Sequence, residues 1–335
     1  MLRGINRKAL EDGYKEQTPY EKELENALIK IKFKDKNDYP FVSIVFPNWN
    51  GKKVTIECIE SLERLNYPKE RMEIVISDNG SSDESIEVIK KKFNKIKNQG
   101  WYSLKLIENK ENLGPAKAYN LGIKNSNPNY DYIWKLDNDV ELDKNALIEL
   151  VKVAESNEKI GFVGSKVYYF NYGNNDLLWH TGGYINYWFG YTTHYGKDIY
   201  DKGQYESLKI PNYLVGCSYL VKKKIIQEIG LIDERYFIYG DDTEWCLRNN
   251  SKGFLNVYAP KSKVWHKIKP KTNKMKNSFA SFHLGKNLVL IERGYAKFYH
   301  WPSFFISICI LKSLKEILIY RDLSFFKGII RGFFI

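Results

Sequence analysis

Tyr132-Ile133-Trp134-Lys135-Leu136-Asp137-Asn138-Asp139 is the stretch on which the reading of this 335-residue chain turns. It is mostly apolar and β-favouring, and it stops at two carboxylates separated by one residue. A buried strand that ends this way brings hard oxygen ligands to the rim of a sheet, and residues i and i+2 of an extended segment point to the same side. Asp137 and Asp139 can therefore converge on one cation. Taken alone, such a pair is more often a polar turn with helix-capping duty, so the surroundings have to decide.

Upstream, the pattern predicts a strand over 41–46 closed by the breaker cluster Pro47-Asn48-Trp49-Asn50-Gly51, then a helix with Cys58, Leu62 and Leu65 on its apolar stripe. A second strand over 73–77 runs into Asp78-Asn79-Gly80-Ser81-Ser82-Asp83, and Ile86, Ile89 and Phe93 mark the next helix. A third strand over 103–107 leads through a loop to a helix bearing Ala116, Tyr119 and Ile123. Strands alternating with helices at about thirty-residue intervals indicate a doubly wound, mostly parallel sheet of the α/β class. In such sheets ligands bind beyond the carboxyl ends of the strands, where Asn48, Asp78, Asn112 and Asp137 all fall.

Downstream, Leu147, Leu150, Val151 and Ala154 predict a helix and 161–167 a strand. Residues 168–212 are rich in Tyr, Trp, Gly and Asn, as in Trp179-His180-Thr181-Gly182-Gly183, a composition that suits either sugar stacking or an aromatic packing insert. An apolar strand over 213–221 passes through Gly216 and Cys217. Asp241 and Asp242 then stand at a predicted helix start, where mutual repulsion and partial burial raise the pKa of one of them and fit it for general-base work; helix capping is the plainer alternative. The last strand exits at Val264-Trp265-His266, and a lone histidine is more often structural than a ligand.

The flanks differ in character. Residues 1–38 form a charged leader in which Tyr20, Leu24, Leu28 and Ile31 recur at helical spacing. Residues 271–335 form a basic amphipathic helical region, fit for an anionic membrane surface, for packing back on the domain or for a homodimer contact. Its most apolar run, 304–311, is cut by Lys312, Lys315 and Glu316 and falls short of the about 20 residues a spanning helix needs.

A net charge of +12 calls for an anionic partner. Scattered lysines without a helix-turn-helix or an aromatic RNA-binding pattern speak against nucleic acid. Cys58, Cys217, Cys246 and Cys309 form no Cys-x-x-Cys pair, which disfavours a zinc ribbon or a disulfide framework and points to a reducing cytoplasm. No signal peptide is legible at the N-terminus.

Over about residues 40 to 270, the ordered blocks resemble the inverting family two of nucleotide-sugar glycosyltransferases. The blocks are Val42-Ser43-Ile44-Val45 with Asn48-Trp49-Asn50-Gly51, Asp78 to Asp83, Asn112-Leu113-Gly114 with Ala118 and Asn120, Leu136 to Asp139, and Asp233-Glu234-Arg235 through Asp241-Asp242, Arg248 and His266. The blocks resemble its rhamnosyltransferase-like and galactofuranosyltransferase-like members in particular. The resemblance implies a GT-A fold with a C-terminal helical tail, a nucleotide-diphosphate sugar donor, Mn2+ or Mg2+, inversion at the anomeric carbon and a glycan or lipid-linked acceptor.

By the same resemblance, Pro47, Asn50, Asp78, Asn112, Gly114, Asn120 and Asp137 would serve the donor, with Asp78 on its pyrimidine ring. Asp137, Asp139 and His266 would hold the metal, and Asp242, beside Asp241, would be the base. Trp179, Gly183, Gly216 and Cys217 would face the acceptor. The resemblance also implies that residues 39–270 would form the transferase domain, with its nucleotide-sugar half over 39–140 and its acceptor and base half over 141–270.

The expected setting is the cytoplasmic face of a membrane. Pro47, Lys135 and Asp241 depart from the usual pattern without removing a ligand or the base. An inactive nucleotide-sugar or glycan-binding module is the alternative. A sugar-nucleotide pyrophosphorylase would want a Gly-rich, Arg-containing loop where 47–53 stands, and a processive synthase a Gln-x-x-Arg-Trp segment.

Overall fold

The computed structural model describes residues 12–270 and 277–335. Its strands are β1 (Val42–Asn48), β2 (Met72–Asp78), β3 (Ser103–Glu108), β4 (Tyr132–Leu136), β5 (Val140–Leu142), β6 (Ile160–Tyr169), β7 (Leu177–His180), β8 (Gly183–Asn186), β9 (Tyr191–His194), β10 (Ile199–Tyr200), β11 (Ser218–Lys222) and β12 (Leu255–His266). Ten of them join one sheet whose main path runs β10-β7-β6-β11-β4-β1-β2-β3, while β8 and β9 form a separate hairpin.

The half from β4 to β3 is parallel, as the helix-strand alternation requires. Every residue of β2 and β4 is buried, the signature of strands covered by helices on both faces. β11 then inserts antiparallel between β4 and β6, so the doubly wound pattern stops at the acidic pair.

The apolar run over 213–221 yields a strand only from Ser218, because the backbone before it is spent elsewhere. Leu214 N–H meets Cys246 Sγ, Gly216 N–H meets Asp242, and the Gly216 carbonyl accepts from Lys135. These groups cannot join a ladder as well. β12 pairs with β6 and, near its end, antiparallel with β5, which sets His266 opposite Val140.

The leader contributes a helix, Pro19–Leu28, opened by a Thr18/Glu21 capping box. It is tied to the domain: Glu21 accepts from Ile210 N–H at 2.8 Å and Glu25 from Leu208 N–H at 3.0 Å. At the other end, helices Ser278–Tyr295 and Ser324–Phe333 pack along a glycine seam. A methyl group on Gly285 would collide with the Phe325 carbonyl, and one on Gly328 with that of Phe282. The C-terminal region packs back on the domain.

Candidate functional site

The two carboxylates flank the short link from β4 to β5, and the β5–β12 pairing delivers His266 to them. His266 Nε2 lies 2.9 Å from Asp139 Oδ1 and 3.7 Å from Asp137 Oδ2. One ligand atom from each of the three lies within 4.8 Å of the other two. Burial works against a charged imidazole, but Asp139 outweighs it and holds the His266 pKa well above the ordinary value. Burial opposes ionisation of Asp139 too, and the imidazole overcomes that and lowers its pKa.

Tyr119 O–H donates to Asp137 Oδ1 at 2.6 Å, leaving Oδ2 turned to the histidine. Two carboxylate oxygens and one imidazole nitrogen, converging within reach of one ion, fit a divalent cation once the imidazole gives up its second proton. The Trp179 ring stands 4.8 Å from that of His266, so the expected acceptor-side tryptophan borders this cluster.

Beside it, the loops after β1 and β2 are knitted together. Asn48 is the hub. Its amide donates to Asp78 Oδ2 at 2.6 Å and to Ser81 Oγ at 3.1 Å, and its carbonyl oxygen accepts from Thr55 and from Asn138, the residue between the two acids. A Cβ at Gly51 would push the Asn138 and Asn48 side-chain amides out of this network.

Asn50, at φ 50°, is exposed and accepts from Ser82 N–H. Pro47 is half-buried within β1. Asp78 is fully buried and committed to Asn48 and Ser81, so it shapes the loop that carries Asn50 rather than facing solvent. Asn112 accepts from Gly114 N–H at 2.9 Å, and Gly114, at φ 79°, packs under Phe237. Asn120 is not brought to this mouth: it is buried, with its amide and carbonyl spent on Ile232 and Glu234.

The second acidic pair opens helix Asp241–Ser251. Asp242 is the half-exposed member; its Oδ2 accepts from Gly216 N–H at 2.8 Å and its Oδ1 from Thr243 N–H at 2.7 Å. Asp241 is buried, and burial, seconded by Asp242, pushes its pKa up to about 7. Lys135 acts in the opposite sense on Asp241. Cys217 joins the two acidic groups, since its carbonyl accepts from Asp137 N–H at 3.1 Å while the neighbouring Gly216 binds Asp242. Gly183 has no such role and lies under the Tyr213 ring as a packing position.

Three residues to which the motifs give no role also support this region. Lys135 is buried, donates to the Gly216 carbonyl at 2.9 Å and sits 3.8 Å from the Tyr119 ring centroid. From helix Ser278–Tyr295, Asn287 donates to the Ile238 carbonyl at 2.8 Å and to that of Tyr239, while Lys286 donates to that of Arg235. Tyr239 and Gly240, at φ 66° and 82°, are thereby held in the left-handed turn that aims Asp241 and Asp242. The signal in the sequence is one Asn set in an apolar helical run, and nothing in its spacing names a partner 48 residues upstream.

The family model described as Glycosyl transferase family 2 matches residues 43–230, more than half of the chain. The chain belongs to that family.

Among the relatives of this family 2 glycosyltransferase is a dolichyl N-acetyl-alpha-D-glucosaminyl phosphate 3-beta-D-2,3-diacetamido-2,3-dideoxy-beta-D-glucuronosyltransferase of Methanococcus voltae. It is 24% identical over 76% of this chain and 75% of its own length. The probable glycosyltransferase YdaM of Bacillus subtilis is 25% identical over 71% of the chain, which spans about half (53%) of that relative. Among solved structures, GalNAc-T7 with UDP, GalNAc and Mn2+ superposes with a TM-score of 0.61 at 17% identity, over 88% of this chain and 55% of that one.

The mannosyltransferase of Pyrobaculum calidifontis in complex with GDP-Man and Mn2+ gives a TM-score of 0.55 at 14% identity, over 98% and 95% of the two chains. The fold is the GT-A fold. Asp241, Asp242 and His266 of this glycosyltransferase lie beyond the residues that the family model matches.

Proposed function

We propose that this family 2 enzyme transfers a sugar, with inversion at the anomeric carbon, from a nucleoside diphosphate-sugar to a hydroxyl of a glycan or lipid-linked acceptor. The observation that carries this reading is the Asp137/Asp139/His266 cluster joined through Gly216-Cys217 to the Asp241/Asp242 pair. A Mn2+ or Mg2+ ion held by Asp137, Asp139 and His266 would supply positive charge to the diphosphate leaving group.

The loops around Asn48, Asn50 and Asn112 receive the nucleoside. Trp179 and the Gly216 segment border the acceptor. Asp242, the accessible carboxylate, takes the proton of the acceptor hydroxyl as it attacks from the face opposite the leaving group. Buried Asp241, with a pKa of about 7, is its protonated neighbour below neutrality, which spares the pair a second charge. A peripheral place at the cytoplasmic face of a membrane belongs to the same reading, supported by the exposed C-terminal face and by the lipid-phosphate acceptor that the M. voltae relative's name states.

Thermal-shift screening of UDP-, GDP- and dTDP-sugars, rhamnose and galactofuranose donors included, should find a donor that stabilises the protein only with Mn2+ or Mg2+ present. Asp139→Ala should lose that metal-dependent response, and an unchanged donor titration would remove Asp139 from the metal site. Asp242→Asn should cut transfer by roughly a thousandfold while donor affinity stays within a few-fold. A variant keeping most of its turnover would end the base assignment.

A further inference from the structure

The C-terminal helices are apolar on two sides. Among the described residues, 15 of the 25 exposed large hydrophobic side chains lie between Phe298 and Phe334. From Trp301 to Tyr320 the buried positions are Phe304, Ser307, Ile308, Cys309, Ser313 and Glu316; Phe304, Ile308 and Cys309 pack with Val289, Phe325 and Ile329, and the first two also meet Gly190 of the β8–β9 hairpin. The exposed large apolar positions are Phe305-Ile306, Ile310-Leu311, Leu314 and Leu318-Ile319-Tyr320.

The first step between these pairs is five residues and the later ones are four. Phe305–Lys312 is π-helical, and its wider turn keeps the five-residue step on the same line as the α-helical steps that follow. Helix Ser324–Phe333 adds Phe326, Ile330 and Phe333 to the outside, with Lys327 and Arg331 exposed among them. At the tip of the β8–β9 hairpin, Trp188 lies 5.7 Å from Tyr299 and 4.9 Å from His300, extending this face toward the acceptor side.

Charge says what covers the face. Between 297 and 335 stand Lys297, Lys312, Lys315, Arg321, Lys327 and Arg331, against two acids, of which Glu316 is buried and Asp322 half-buried. Two copies meeting through this face would press like charges together, and no described helix is long and apolar enough to cross a bilayer. Apolar rows bordered by exposed lysine and arginine are what an interfacial surface needs: rings and aliphatic chains enter the acyl boundary while the cations reach lipid phosphates.

We infer that this face docks on an anionic lipid bilayer. The docking deepens the membrane setting proposed above and rests on the transfer reading only for its consequence, that a lipid-linked acceptor would meet the Trp179 side of the site.

The test is sedimentation of the full chain with vesicles of phosphatidylcholine alone, or with about one third phosphatidylglycerol. Retention is expected on the anionic vesicles and should fall as salt rises. The double variant Leu318→Glu/Ile319→Glu, at positions 74% and 63% exposed, should lower partitioning roughly tenfold or more with an unchanged melting temperature. Lys327→Glu/Arg331→Glu should lose the preference for anionic lipid.

Equal retention of all three proteins would overturn the inference. So would the absence of retention, and a chain that elutes as a dimer split by the first double variant would then give the face to a second copy. No donor or acceptor enters this measurement, so failure of the transfer reading leaves its result standing, and failure of docking leaves the active-site tests untouched.

Discussion

A lysine buried beside carboxylates is costly unless its charge and its donors are used. Lys135 uses both, on the Gly216 carbonyl and on the Asp241 charge, with the Tyr119 and Tyr219 rings as its walls. In the sequence it reads only as an interruption of an apolar strand, because what it serves lies more than eighty positions away. The opposite holds for Asp78 and Asn120, whose motif positions are legible but whose side chains are consumed inside the protein.

Trp49 stands out among the loop residues because it is 57% exposed between Asn48 and Asn50. An exposed indole at that rim offers a stacking face to a nucleobase, worth about 1–3 kcal/mol in comparable settings. Trp49→Ala should therefore raise KM for the donor about tenfold or more with little change in kcat or melting temperature. Unchanged KM would show that the ring does not touch the donor.

At the scale of elements, the strand-helix alternation and the strand-end clusters were legible because each is a local pattern of burial and turn residues. The antiparallel insertion of β11 was not, since the strand's direction depends on which distant backbone groups compete for its amides. Helix Ser278–Tyr295 was equally hidden. It reads as a tail, yet Asn287 holds the turn that aims the second acidic pair.

Asn287→Ala should therefore lower kcat by about an order of magnitude while the metal-dependent donor response stays nearly intact. Equal loss of both would mean that the helix acts through stability alone. The variant's melting temperature, read alongside, separates the two outcomes.

For the whole molecule, the layer between the domain and the C-terminal helices has an electrostatic cost. Glu292 is 2% exposed with Oε1 lacking a hydrogen-bond partner, and burial pushes its pKa up to about 8. The folded state favours its neutral form, so the stability this gives is complete below the ordinary carboxylate range and is lost as pH rises through about 8. Glu292→Gln, neutral throughout, should raise the melting temperature relative to the parent by a few degrees more near pH 9 than near pH 5. Identical shifts at both pH values would show that the carboxyl is not desolvated in solution.

The π-helical stretch carries a last consequence, one of phase. An α-helix advances about 100° per residue, and a π turn is what such a helix adopts when it must absorb one residue too many. Excising a single residue between Phe305 and Lys312 would let the stretch relax to an ordinary α-helix. The step from Phe305 to Ile310 would then be four residues, about 400° of α-helix, and the later outward positions would stay in line with Phe305 and Ile306; wound as α-helix at its present length, the five-residue step would instead swing them about 100° aside. The π turns absorb the additional residue without breaking the row, so the match between helix type and segment length, more than composition, is what a change in this segment has to respect.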